Sequence, residues 1–249
     1  FCSEFLREFN SNSDSNKSVK IEEFVEIIKK DGKGKPYDCI VGVSGGVDSS
    51  YVLHLTKSFG LRPLAVHMDN NWNSELATNN ISNLVKKLDV DLITHVIDWP
   101  EYKSLMEAFF KANVVDIELL YDNAMYSVNY ELANKYNIKY ILSGMNKSTE
   151  GIRMPKGWNN FKFDKKNIVS INKKFGKRKL KTFPIIGVNR MLYLKYVKKI
   201  QFSPFLDFID YKKDEALNIL TKDYSYKPYP YKHMFRDEYP QIQAVHLFV

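Results

Sequence analysis

A doubly wound α/β architecture with a parallel sheet is the expectation for this chain. Two observations carry it. Strand-like apolar runs alternate with helix-like patterns from Asp38 to Met145, the order that generates βαβ units. The run CIVGV also reads as a buried strand, as strands covered by helices on both faces do.

The elements follow in order. Residues 10–18, NSNSDSNKS, are too polar to bury apolar surface, and a loop is expected. In KIEEFVEIIKK, Ile21, Phe24, Val25 and Ile28 recur at helical spacing, and Gly32, Gly34 and Pro36 end that helix. CIVGV, residues 39–43, is the first strand of the sheet. The next helix carries Val52, Leu55 and Phe59 on one face and stops at Gly60. RPLAVHMD is the second strand, and a helix over residues 74–88 aligns Ala77, Ile81, Leu84, Val85 and Leu88. DLITHVID is the third strand, followed by a helix from Pro100 and another lined by Leu120, Ala124, Val128 and Leu132. KYILSGM is the fourth.

After Gly151 the alternation fails. A polar, basic and aromatic stretch runs to Gly187, with a helix expected over 190–200. PFLDFIDY reads as a strand and KDEALNIL as a short helix, while SYKPYPYKHM holds too much Tyr and Pro for regular structure. The division expected is an N-terminal segment with one helix (1–35), a nucleotide-binding domain (36–187) and an irregular, basic C-terminal extension (188–249).

Composition narrows the function. With 249 residues, 44% of them apolar, the chain can bury a real core. A mean hydropathy of −0.37 and the lack of a long apolar run argue against a membrane span. No secretory leader is seen, so the cytoplasm is expected; the chain opens on Phe1 rather than Met, so an upstream segment is expected too. Two cysteines, Cys2 and Cys39, make no disulfide framework. A net charge of +8 suits an anionic ligand without choosing among nucleic acid, nucleotide and nucleotide-linked substrate.

The sharpest signal is DCIVGVSGGVDSS, residues 38–50. Ligands of parallel sheets bind beyond the carboxyl ends of the strands, where this turn falls. Gly45 and Gly46 let an anion approach the main chain, Val47 opens a helix whose free N–H groups face it, and Ser44 and Ser49 add hydroxyls. Asp48 would repel phosphate unless a divalent cation lay between them, so magnesium is expected. An ordinary glycine turn with an N-capping residue is the plain alternative. Against it stands the whole SGGVDSS string, set between a buried strand and an amphipathic helix. The loop lacks the GK[ST] ending of a Walker sequence and the third glycine of GxGxxG.

SGGVDSS resembles the loop of the N-type ATP pyrophosphatases, with the Rossmann-like, adenine nucleotide alpha-hydrolase fold. These enzymes join AMP to a poorly reactive oxygen, release pyrophosphate and let a nitrogen or sulfur nucleophile displace the AMP. The resemblance implies that Ser44 to Ser49 hold pyrophosphate and that Asp48 reaches it through magnesium. It also puts Asp69, ending AVHMD, near the adenosine, with a simple strand-end cap as the other reading.

Further on, LSGMNKSTEG (142–151), the GW pair at 157 and 158, NIVSINKKFGKRKLKTFP (167–184) and FIDYKKDEALNIL (208–220) resemble the N-acetyl sugar amidotransferases of surface-polysaccharide (lipopolysaccharide, O-antigen) synthesis. That resemblance spans residues 36–233. It implies conversion of an acetamido group on a nucleotide-linked sugar into an acetamidino group. Ammonia would come from a separate glutaminase subunit similar to that of imidazole glycerol phosphate synthase, working with a cyclase-like partner. Lys147 is then a catalytic candidate, Gly144 joins the nucleotide site, and Asn146, Thr149, Glu150 and Lys179 are substrate candidates. The cluster of Lys173, Lys174, Lys177, Arg178, Lys179 and Lys181 could instead be a solvated basic surface.

Neither cysteine suits a glutaminase nucleophile, which needs a paired histidine: Cys39 falls within a strand, and Cys2 has no histidine nearby. FCSEF resembles the last cysteine of the family's cysteine-rich segment, which makes Cys2 a structural zinc candidate whose other ligands would lie elsewhere. After YKPYPYKHM the chain departs from the family pattern. Two other functions stay open: a tRNA-modifying pyrophosphatase, which the positive charge would suit although nucleic acid is not the expected partner, and a non-catalytic nucleotide-binding subunit. The five histidines show no metal or acid-base spacing.

Overall fold

The structure is a computed structural model that describes residues 17–146 and 161–229. Its elements are α1 (Lys17–Gly32), β1 (Cys39–Gly42), α2 (Val47–Ser58), β2 (Pro63–Asp69), α3 (Glu75–Leu88), β3 (Leu92–Val96), α4 (Trp99–Lys111), α5 (Leu119–Lys135), β4 (Tyr140–Ser143), α6 (Lys165–Phe175), α7 (Val188–Leu192), β5 (Gln201–Pro204) and α8 (Lys213–Tyr224). The five strands form one sheet in the order β3-β2-β1-β4-β5, with every pairing parallel. This is the doubly wound α/β fold expected. Among the described residues no helix is long and apolar enough to cross a membrane.

Strand alternation builds two apolar layers. Cys39 and Val41 of β1, Val43 just beyond it, Ala65 of β2, and Tyr140 and Leu142 of β4 meet α1, α2, α3 and α8 on one face. Ile40, Leu64, Val66, Met68 and Ile141 meet α4, α5 and α6 on the other. Both sides of β1 and β2 are therefore dry, which accounts for their nearly unbroken apolar runs.

Three regions depart from the sequence expectation. PFLDFIDY is not a strand: Pro204 ends β5 and a 3-10 turn, Phe205–Phe208, follows. Phe205 and Leu206 are both fully buried in the same apolar layer, which successive residues of a strand could not be, since they face opposite sides. The helix expected over 190–200 is shorter. α7 continues as a wide π turn, Tyr193–Val197, and Lys199 with φ 57° reverses the chain into β5.

The third departure is α6, within the stretch expected to be irregular. Asp164 caps it by accepting from Asn167 N at 3.0 Å, and Ile168 is its one fully buried side chain. Asn123 of α5 ties this stretch down, donating to Lys162 O and Ile186 O and accepting from Ile186 N. Beyond residue 187 the chain adds β5 to the sheet beside β4 and lays α8 against α2 and α3.

Candidate active site

The strand order places the end of β1 between its two neighbours β2 and β4, whose crossovers run to opposite faces. That is the crevice in which ligands of such sheets bind. Ser44 to Gly46 fill the turn. Gly45 has φ +81°, and a Cβ there would stand 2.8 Å from Ala77 O and 2.9 Å from Ala77 Cα of α3. No other residue fits. Gly46 caps α2 without offering a side chain, so the first N–H groups of α2, which have no intrahelical acceptor, gain no side-chain cap among the described residues.

The loop braces itself through hydroxyls. Ser49 Oγ accepts from Ser44 N at 3.2 Å, lies 3.1 Å from Ser44 Oγ and donates to Gly46 O at 3.3 Å. Gly46 N donates to Ser44 Oγ at 3.3 Å. The end of β4 presses flush against the same turn: a Cβ on Gly144 would lie 2.7 Å from Ser49 N and 2.8 Å from Asp48 C. Buried Asn146 donates to Gly144 O at 3.1 Å. The structure thus gathers Ser44, Gly45, Gly46, Val47, Asp48, Ser49, Gly144 and Asn146 into one place.

Asp69 ends β2 and accepts from Asn71 N at 2.8 Å and Asn73 Nδ2 at 3.0 Å. It caps its own loop, and it also lines a polar cavity of about 360 Å³ with Asn71, Asn73, Glu75, Thr78 and Asn79. Of the two sequence readings of Asp69, the strand-end cap is the one these hydrogen bonds describe. Buried His67, given no role from sequence, links this loop to the first. Its Nδ1–H donates to Val43 O at 2.8 Å, and its Nε2 accepts from Asn73 Nδ2 at 3.0 Å.

Three tyrosines that sequence reasoning missed close the site from the C-terminal segment. Tyr211 OH donates to Asp48 Oδ1. Tyr226 OH and Tyr229 OH donate to Gly45 O at 2.9 and 3.2 Å. Burial, reinforced by the Asp48 carboxylate, holds the Tyr211 phenol far above its ordinary pKa, and burial raises Tyr226 likewise, so both remain neutral donors. The richness of SYKPYPYKHM in tyrosine was the available signal, but nothing local says where the rings dock.

The segment carrying Lys179 is anchored at α4. Ser104 Oγ accepts from Lys177 N and Arg178 N, while the buried Glu101 carboxylate accepts from Lys181 N, Thr182 N and Phe183 N at 2.9–3.2 Å. Lys179 itself is exposed on that segment. Lys147, Thr149, Glu150 and Cys2 lie outside the described residues. Cys39 is wholly buried in β1, and burial pushes its thiol so far up that it is inert.

A magnesium ion suits this donor set. Asp48 and the Ser44 and Ser49 hydroxyls are hard oxygen donors beside a cradle of N–H groups. Among the described residues no group of three or more His, Cys, Asp or Glu side chains could hold a metal by itself. Asp48 would hold a cation here, with the Ser44 and Ser49 hydroxyls beside it. When bound it would neutralise charge on the departing phosphates.

The chain has similarities to known proteins in structure and in sequence. In structure the chain is similar to the NMN synthetase of Francisella tularensis, with TM-score 0.42 and 15% identity over 87% of this chain and 90% of that one. It is also similar to the NH3-dependent NAD synthetase of Campylobacter jejuni, with TM-score 0.42 and 18% identity over 83% and 82%. In sequence it is 43% identical over 75 residues to an uncharacterized protein of Methanocaldococcus jannaschii. That match covers 30% of this chain and only about a quarter, 26%, of the relative. A model of the NAD synthase family matches residues 19–184, which hold the glycine loop, Asp69 and the sheet from β1 to β4. The chain belongs to the NAD synthase family.

Proposed function

We propose that this chain is an ATP-dependent amidotransferase acting on the acetamido group of an N-acetyl, nucleotide-linked sugar in surface-polysaccharide synthesis. The acetamido oxygen attacks the α-phosphorus of ATP, the α–β bond breaks and pyrophosphate leaves. Ammonia then adds to the activated carbon, and AMP departs with the oxygen, giving the acetamidine. The observation that carries the reading is the open, glycine-lined loop at the centre of the sheet edge, with N–H donors of α2 and the Asp48 carboxylate meeting where pyrophosphate would form. Preorganised donors of this kind stabilise charge as it develops on the leaving group.

The acetamido acceptor rests on the LSGMNKSTEG, FGKRKLKTFP and FIDYKKDEALNIL motifs. Ammonia comes from outside the chain, through a separate glutaminase subunit with its cyclase-like partner, a reading supported by the burial of Cys39 and by the lack of a histidine near Cys2 in sequence. The family match favours a second acceptor, a precursor of NAD, as the name NAD synthase suggests.

One assay separates the two. The protein is incubated with ATP, magnesium, ammonium and, in turn, a panel of nucleotide-linked acetamido sugars and a precursor of NAD. Pyrophosphate release that requires an acetamido sugar, with a product carrying NH in place of O, is expected. Release with the NAD precursor alone establishes the second acceptor, and no acceptor-dependent release refutes both.

A further inference from the structure

An anion-binding loop must do two things with each peptide unit: turn its N–H toward the ligand and keep its C=O away. In a trans peptide the two groups point in opposite directions, so fixing one fixes the other. The Gly45–Gly46 unit is the vulnerable one. Gly45 has φ +81°, a region in which glycine moves freely, and its carbonyl belongs to a buried residue that must find donors.

Those donors come from far along the chain. Tyr226 OH and Tyr229 OH both donate to Gly45 O, at 2.9 and 3.2 Å. At the other end of the same peptide, Gly46 N points to Ser44 Oγ at 3.3 Å, inside the loop. The strap that delivers the two phenols is itself fastened to α3. Asn80 Nδ2 donates to Lys227 O and Asn80 Oδ1 accepts from Lys227 N, each at 2.9 Å. Lys87 Nζ donates to Asp223 O at 2.8 Å and to Ser225 Oγ at 3.3 Å.

We infer that Tyr226 and Tyr229 are positioning residues for pyrophosphate, locking the Gly45–Gly46 peptide with its carbonyl turned out and its N–H turned in. This rests on the reading of residues 44–49 as the pyrophosphate site and deepens it. The phenols touch no substrate; they act through the loop. The site is thereby completed by a segment more than 180 residues away in sequence.

The test uses the full chain with Tyr226→Phe, Tyr229→Phe, the double variant, and Tyr224→Phe as control, since the Tyr224 hydroxyl bonds His54 and not the loop. Affinities for inorganic pyrophosphate, ATP and AMP are measured by calorimetry with magnesium, alongside thermal melting. The double variant should bind pyrophosphate and ATP roughly tenfold more weakly, the consequence of one buried carbonyl losing both donors, with AMP unaffected. Each single variant should show a smaller loss because one phenol remains, and Tyr224→Phe should show none. Loss of all three ligands by one common factor, tracking the melting temperature, would mean a merely structural role and overturn the inference. So would unchanged pyrophosphate affinity in the double variant, or in both single variants should the double variant not fold. A wild-type chain that binds neither pyrophosphate nor ATP refutes the pyrophosphate reading of the loop and the inference with it.

Discussion

Two helices, α2 and α4, begin at the same edge of the sheet, and each carries a carboxylate in its first turn, Asp48 and Glu101. The α4 end is closed by the protein. Asp98 caps it, accepting from Glu101 N at 2.9 Å, and the Glu101 carboxylate is saturated by three successive backbone N–H groups. Among the described residues the α2 end is left open, with a glycine cap, two serine hydroxyls and a carboxylate met by Tyr211. A carboxylate wrapped in main-chain donors is a structural anchor; one beside free N–H groups is placed for a cation and an anion together. The contrast is one of environment, since both side chains follow the same local logic.

The strongest way to break the comparison is to treat the two carboxylates alike. Asp48→Asn keeps an acceptor for the Tyr211 hydroxyl but loses the charge. Acceptor-dependent pyrophosphate release should fall by about a hundredfold or more, with little change in melting temperature. Glu101→Gln should do the reverse. Its amide turns an N–H₂ toward backbone donors in a buried site, so unfolding free energy should drop by about 1–3 kcal/mol. Turnover per folded molecule should stay within about threefold of wild type. Equal damage to turnover from both substitutions would erase the distinction.

A finer probe alters the shape of the open end and leaves its charge alone. Gly144→Ala would drive a methyl group to 2.7 Å from Ser49 N, so β4 or the first turn of α2 must shift. The expected result is a fall of about tenfold in kcat/KM, carried by misplacement of the loop donors. Wild-type kinetics in this variant would show that the close packing of β4 on α2 does not hold the donors in place.

How much of this was legible follows from where the determinants lie. The buried β1 and the glycine turn after it are encoded within thirteen consecutive residues, and each feature has a local cause. Gly45 and Gly144 answer to steric limits that any such loop imposes. The strand at 201–204 was hidden because QFSP is short, half-exposed and ends in proline, and its partner β4 lies some sixty residues earlier. The tyrosines were visible as composition only. Nothing in the sequence near Tyr226 names Gly45 as its partner, because that contact exists only once α3 and α8 have packed. His67 was passed over for a related reason: a histidine whose two nitrogens are taken by Val43 O and Asn73 has no motif to announce it.

The smallest expected effect concerns how α2 is held in place. His54 on α2 and Tyr224 on α8 share a 2.7 Å hydrogen bond, and the two rings meet edge-on at 5.5 Å. Burial depresses the imidazole below its ordinary pKa, opposed by the more distant charge of Asp223. The folded chain therefore binds less proton at His54 than the unfolded chain once pH falls below the ordinary histidine range. Stability from the neutral ring is present above the unfolded-state value and is lost as pH drops through it toward the depressed folded value. Denaturant titrations from pH 7.5 down to pH 5 should show this as a contribution of at most about one proton to the slope, beside that of His95, which burial depresses in the same direction. His54→Asn, which can still hydrogen-bond Tyr224 but cannot titrate, should reduce that slope by the His54 share. It should leave the affinity for pyrophosphate untouched, because the bond lies at the middle of α2 rather than at its open end. A slope unchanged by the substitution would assign the pH dependence to other groups and leave the α2–α8 contact with a packing role alone.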